Sequence, residues 1–332
     1  MRLRVLGICG GNGVILHAFK DQLITNVEPR SVFHTPNSIQ WKLNFKTQFE
    51  KDLAIRFPKN SIDCIIGAPD CGHSSILAYS RAKKLSDPKE NISLTFFIGS
   101  IGYYKPKIFM MENLPKMAEM VNLELSFPNY DLKVFNEPVS AWGNSQFSRV
   151  RLVVIGIRKD LLASLSLIDL PDLTDYHYKN VNELFEGLGK MNGSHCHVRE
   201  PDDYSIPLYI DGKRKITVKE AREIWRTRFK DYGRWEVEDE KMKNQPGVYR
   251  IFGDGYPLTV RKQNRQFGPD GNMLTPREIA RIQGIPDSFK LWYDPDRSLY
   301  CINKARVTVA KTPPYEVGVW FKGICDKLEK YL

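Results

Sequence analysis

Short apolar runs alternate with amphipathic stretches over roughly the first 160 residues. The clearest runs are Arg4-Val5-Leu6-Gly7-Ile8, Asp63-Cys64-Ile65-Ile66-Gly67, Ile108-Phe109-Met110-Met111 and Leu152-Val153-Val154-Ile155-Gly156-Ile157, with a further apolar segment at Leu23-Ile24. Strands of this kind, spaced by helical stretches, predict an α/β lobe with a mostly parallel sheet flanked by helices. The ligand crevice of such a sheet lies beyond the carboxyl ends of its strands, so the residues just after each run are the first place to look for chemistry. From 165 to 268 the pattern turns irregular, polar and rich in aromatics, with one predicted helix near Val218 to Phe229. Order then returns. Val317, Trp320, Phe321, Ile324 and Leu328 fall on one face at helical spacing, which predicts a terminal amphipathic helix packed on the sheet. The expected organisation is a first domain over 1–164, a second over 165–268, and a segment over 269–332 that braces the second and returns to the first.

Length agrees with more than one lobe, because 332 residues exceed the usual size of a single core. The formal charge of +10 attracts polyanions and favours a nucleic-acid partner. The excess is concentrated: between Asp211 and Arg265 there are fifteen Lys or Arg against nine Asp or Glu, with Trp225, Tyr232, Trp235, Tyr249 and Phe252 interspersed. Such a stretch suits phosphate neutralisation and base stacking, and suits equally a solvated surface over a small core. No apolar run reaches eighteen residues and the glycine-broken N-terminus does not resemble a signal sequence, so a cytoplasmic protein without a membrane partner is expected. The six cysteines (Cys9, Cys64, Cys71, Cys196, Cys301, Cys325) include no C-x-x-C pair, which indicates reduced thiols and no zinc site. His195-Cys196-His197 reads as a surface loop, since three adjacent residues rarely converge on one ion. No metal is expected.

Candidate chemistry clusters at the strand ends. The first strand runs into Cys9-Gly10-Gly11-Asn12-Gly13, a turn whose small residues let backbone approach a ligand. Glu28 follows the second apolar segment, where a carboxylate would accept hydrogen bonds from ribose hydroxyls or simply face solvent. The next strand ends in Gly67-Ala68-Pro69-Asp70-Cys71-Gly72-His73-Ser74-Ser75, and a thiol in such a loop is either a poised nucleophile or an inert packing group. Glu112-Asn113 closes another strand and Arg149-Val150-Arg151 introduces the last, a set that suits a reactive crevice or a structural ion pair.

Taken in order, these segments resemble the cytosine-5 DNA methyltransferase family. The most specific match is Leu274-Thr275-Pro276-Arg277-Glu278-Ile279-Ala280-Arg281-Ile282-Gln283-Gly284-Ile285-Pro286-Asp287, and the resemblance spans about residues 3 to 325. It implies a Rossmann-like, S-adenosylmethionine-dependent methyltransferase fold with a smaller, irregular target-recognition domain. It implies Cys71 as the nucleophile that adds to carbon 6 of a flipped cytosine, with Glu112, Arg149 and Arg151 completing the catalytic set. Ile8, Gly10, Gly13, Glu28, Asp52 and Pro69 would hold the cofactor; Ser75, Asn113, Arg277 and Gln283 would contact the substrate. Double-stranded DNA is the implied partner, bound by a monomer, with a cognate restriction endonuclease as a further partner. A tRNA cytosine-5 methyltransferase and an inactive DNA-binding member are the alternatives. Four departures stand out: Asp70 occupies the place of a proline before the nucleophile, Ile8 and Asn12 alter the glycine turn, Phe147 replaces a glutamine, and Ala310-Lys311-Thr312-Pro313-Pro314 stands where a Gly-Asn segment is usual.

Overall fold

The computed structural model describes residues 2–11, 13–28, 38–42, 57–70, 91–188, 208–209, 215–216, 248–250, 253–257, 259–260, 265–267, 274–289 and 309–331. The chain divides into two compact units. One comprises Met1–Trp142, Val150–Leu173 and Pro313–Leu332; the other comprises Gly143–Arg149 and Thr174–Thr312.

The first unit is built on a seven-stranded sheet of order β3-β2-β1-β4-β5-β7-β6. Its strands are β1 (Arg4–Ile8), β2 (Leu23–Glu28), β3 (Ser38–Lys42), β4 (Cys64–Gly67), β5 (Ile108–Asn113), β6 (Tyr130–Pro138) and β7 (Val150–Arg158). All pairs from β3 to β5 are parallel, whereas β7 runs antiparallel to both β5 and β6. The connection from β6 to β7 is too short for the crossover that a parallel pair requires, so the last two strands close as an antiparallel pair. The sheet is therefore mostly parallel, with one inverted strand, β7, set between β5 and the edge strand β6.

Alternate side chains along each central strand enter opposite cores. Val5, Cys64, Ile66, Ile108, Met110, Val153 and Ile155 lie on one face; Leu6, Ile8, Ile65, Phe109, Met111, Leu152 and Val154 lie on the other. Burial on both faces is what makes these strands read as continuous apolar runs rather than alternating ones. The first face is covered by α1 (Val14–His17) and by the terminal helix Tyr315–Leu328, whose Val317, Phe321, Ile324 and Leu328 are buried at the spacing that the sequence predicts. Gly318 permits the close approach of these two helices, since a Cβ there would stand 2.8 Å from the Ile15 carbonyl oxygen. The second face is covered by α2 (Ile92–Tyr104), which buries Leu94, Phe96, Phe97, Ile101 and Tyr104. Apolar on nearly every side, α2 carries no amphipathic period, and the pattern of polar positions gave no sign of it.

In the second unit the described elements are an antiparallel pair Leu208–Tyr209 with Lys215–Ile216, a parallel pair Val248–Arg250 with Arg265–Phe267, and the helices Val181–Phe185 and Pro276–Ile282. The helix expected near Val218 to Phe229, most of the basic stretch and His195-Cys196-His197 lie outside the described residues. Among the described residues no helix is long and apolar enough to cross a membrane, and no group of His, Cys, Asp and Glu gathers around a point.

Candidate active site

Chain order in the first unit reverses direction across the sheet between β1 and β4, which makes the carboxyl ends of these strands the natural ligand crevice. After β1 the backbone makes a turn with three left-handed residues: Cys9 at φ 55°, Gly11 at φ 60° and Gly13 at φ 74°, the last serving as N-cap of α1. Left-handed angles cost a residue with a Cβ about 1 kcal/mol or more, so glycine at two of the three positions has a local cause. Gly10 is constrained by space instead, because a Cβ there would sit 2.8 Å from Oδ1 of Asn26. At Gly11 a Cβ would meet nothing within 4 Å, so the turn presents its backbone to open space. Asn26, fully buried on β2, directs Nδ2 toward the Gly11 carbonyl at 3.5 Å, while its Oδ1 has no hydrogen-bond partner among the described residues. An orphaned buried acceptor beside an outward-facing glycine backbone fits a polar small molecule such as a nucleoside. Glu28 ends β2 next to this turn, with its side chain outside the described residues, as is all of Asp52. Ile8 places its side chain in the core.

The turn is joined to the loop after β4 through the Ala68 N–H and the Cys9 carbonyl, 3.4 Å apart. Gly67 has to be glycine: a Cβ would stand 2.4 Å from the backbone oxygen of Ile8 and 2.4 Å from the Phe97 ring. Beyond it the chain is pinned residue by residue. Asn113 Nδ2 donates to the buried Pro69 carbonyl at 3.0 Å, Asn91 Nδ2 donates to the Asp70 carbonyl at 2.8 Å, and the Asp70 N–H donates to Ser93 Oγ at 2.8 Å. Cys71 and Ser75 follow immediately and lie outside the described residues.

Glu112, adjacent to Asn113 at the end of β5, points to the opposite face and meets Arg151 of β7, with Oε1 and Nε 3.0 Å apart. Both side chains are largely buried. Arg149 belongs to the second unit, is 1% exposed, and donates through Nη2 to the Thr312 carbonyl at 2.8 Å and through Nη1 to that of Val260 at 3.3 Å.

The Thr-Pro-Arg-Glu segment is likewise internal to the second unit. Thr275 caps the helix Pro276–Ile282, with a reciprocal bond between Glu278 and the Thr275 N–H and with Pro276 at the first turn. Arg277 donates to the carbonyls of Pro286 and Phe289, and Gln283 accepts from Gln146 at 3.1 Å. Gln146 in turn accepts from the Val260 N–H at 3.0 Å. These side chains bond to backbone and side-chain groups within the unit that carries them.

The described cysteines are all buried. Burial pushes the Cys64 thiol well above its ordinary value and the neighbouring Cys325 adds to the shift, which leaves Cys64 protonated and unreactive. His17 is held below its usual range, first by burial and then by Lys20, and stays neutral near pH 7.

A family model described as C-5 cytosine-specific DNA methylase matches residues 31–305. The chain belongs to this family. Its reaction is methylation of carbon 5 of cytosine in DNA, and family and fold together imply S-adenosylmethionine as methyl donor. The methylase is 24% identical over 319 residues to the type II methyltransferase M.FnuDI of Fusobacterium nucleatum, covering 88% of this chain and 86% of that one. It is 23% identical to the type II methyltransferase M.BsuRI of Bacillus subtilis, covering 84% of this chain and 64% of that one. A solved structure described as a candidate DNA modification methyltransferase encoded within an E. coli prophage shares the fold, with a TM-score of 0.67 over 99% of both chains at 18% identity.

Three residues of this candidate site escaped the sequence reading. Asn26 is hidden because nothing marks a polar residue within an apolar strand as a neighbour of the glycine turn. Asn91 had a usable signal, since asparagine directly before an apolar helix is an N-cap, but the helix itself was not recognised. Ser93 is legible only once Asn91 is placed.

Proposed function

We propose that the methylase acts on duplex DNA through a covalent Cys71 adduct, with Glu112 and Arg151 receiving the flipped base. The observation that carries this reading is the buried Glu112–Arg151 pair on a strand whose next residue, Asn113, holds the loop leading to Cys71. In this reading the Cys71 thiolate adds to carbon 6, and the electron density displaced into the ring is met by a proton delivered from Glu112 to ring nitrogen 3. Arg151 orients the Glu112 carboxyl by holding Oε1. When bound, S-adenosylmethionine would supply an electrophilic methyl group to carbon 5 by cleavage of its sulfonium S–CH3 bond, leaving as S-adenosylhomocysteine. Loss of the carbon 5 proton to solvent then re-forms the ring double bond as the carbon 6–sulfur bond breaks, and the proton on nitrogen 3 returns to Glu112.

The turn Cys9–Gly13 with Asn26, Glu28 and Asp52 would hold the donor, with Pro69 completing the wall. Arg149, Arg277 and Gln283 serve as buried ties within the unit that carries them. The stretch 165–268 reads the target, its basic and aromatic residues meeting phosphates and bases, and Ser75 contacts the substrate from the catalytic loop. In this reading the enzyme works as a monomer in the cytoplasm, alongside a cognate restriction endonuclease. The deciding experiment is Cys71→Ala. It is expected to abolish methylation, read by bisulfite sequencing of DNA from expressing cells, while gel-shift affinity for the mapped site persists. Methylation by the variant would sink the assignment.

A further inference from the structure

Residue 70 is held on both sides of its own Cα by a closed ring of hydrogen bonds. Its N–H donates to Ser93 Oγ at 2.8 Å, the Ser93 hydroxyl donates to Asn91 Oδ1 at 2.8 Å, and Asn91 Nδ2 donates to the carbonyl of residue 70 at 2.8 Å. The same Asn91 Oδ1 accepts the Leu94 N–H at 3.2 Å as N-cap of α2. That bond fixes the amide orientation, because the oxygen is committed to the helix and only the NH2 group faces the loop. Asn91 is 3% exposed, and α2 is anchored along its length in the core under β4 and β5. The ring therefore transmits the position of a rigid helix to a single residue of the loop.

We infer that Asn91 and Ser93 are positioning residues that clip Asp70 in place and thereby aim the Cys71 thiolate at carbon 6. The inference rests on Cys71 being the nucleophile. It also accounts for a residue that carries an N–H where the family's common pattern has proline. Proline has no N–H for Ser93 to hold and restricts the backbone by its ring, whereas here an ordinary residue is restrained by two hydrogen bonds from outside. The aspartate side chain is exposed, so the clip uses the backbone of residue 70.

The test uses the full-length enzyme and a duplex with 5-fluorocytosine at the target position mapped by bisulfite sequencing. With S-adenosylmethionine present, single-turnover formation of the covalent adduct is followed on denaturing gels. Asn91→Asp keeps the acceptor for Leu94 and loses the donor to residue 70, and Ser93→Ala removes the other contact; each is expected to slow adduct formation about 10- to 100-fold, the scale of a modest misplacement of a reacting group. Donor affinity and thermal midpoint are expected to stay close to wild type, and Ser93→Thr is expected to restore most of the rate. Wild-type rates in both variants would overturn the clip, as would a loss that merely tracks falling donor affinity or thermal stability. Absence of any adduct in the wild-type enzyme would overturn the Cys71 reading itself, a result distinct from failure of the clip alone.

Discussion

Arg149 and Arg151 are two residues apart and look interchangeable in sequence, yet they belong to different compact units and do different things. Arg151 meets the carboxylate of Glu112 at the end of a strand in the sheet unit; Arg149 is sealed in the other unit and bonded to two main-chain carbonyls. The contrast extends to their surroundings. In the sheet unit the buried Asn26 Oδ1 has no hydrogen-bond partner among the described residues, and a Cβ at Gly11 would meet nothing within 4 Å. In the second unit the helix that Thr275 caps turns Arg277 and Gln283 inward onto neighbouring backbone and side chains. A family-specific motif can thus be spent on ties within its own unit, while a carboxylate and a guanidinium at strand ends pair with each other.

The contrast is sharpened most by Glu112→Gln, which is expected to lower kcat by about 10³-fold, within the range for loss of a proton donor. Stability to urea should change little, and a thermal collapse without a specific kinetic loss would erase the distinction between the two regions. Arg149→Ala should do the reverse. Stranding two buried carbonyls is expected to cost about 3 kcal/mol in unfolding free energy, measured by denaturant titration. A variant of full stability and low turnover would place Arg149 with Arg151 after all. Thr275→Ala removes one side of the capping box and is expected to cost about 1 kcal/mol, visible as a lower thermal midpoint with unchanged donor affinity.

The smallest expected effect concerns pH. Burial alone would raise the Asp63 carboxyl, but hydrogen bonds from the Arg4 N–H and guanidinium, together with the Arg4 and Lys107 charges, outweigh it and hold Asp63 below its ordinary value. A group depressed in the folded state stabilises above its unfolded pKa, and that contribution is lost as pH falls through the folded value. Asp63→Asn should therefore reduce stability by less than about 1 kcal/mol at neutral pH and flatten the acid limb of the stability profile. An unchanged acid limb would remove Asp63 from the account.

Much of the sheet was legible because strands buried on both faces have to be apolar throughout: β1, β4, β5 and β7 stand at the runs read from the chain. The terminal helix was equally legible, since one face is buried and the other wet. The helix α2 was not, for the opposite reason, and β6, with mixed exposure along Tyr130–Pro138, offered no run at all. At the site, Glu112, Asn113 and the glycine turn were visible as polar or small residues at the ends of apolar strands. Asn26, Asn91 and Ser93 were not, because each acts on a segment far away in the chain.

The amino-acid sequence alone determined the fold class and the family of this methylase, through the spacing of apolar runs and an ordered set of short motifs. Which arginine meets Glu112, which asparagines hold the loop before Cys71, and which motif side chains are bonded within their own unit were decided by tertiary structure. Local propensity and periodicity act over a few residues, whereas hydrogen bonds such as Asn113 to Pro69, or Arg149 to Thr312, join positions that only the folded chain brings within reach.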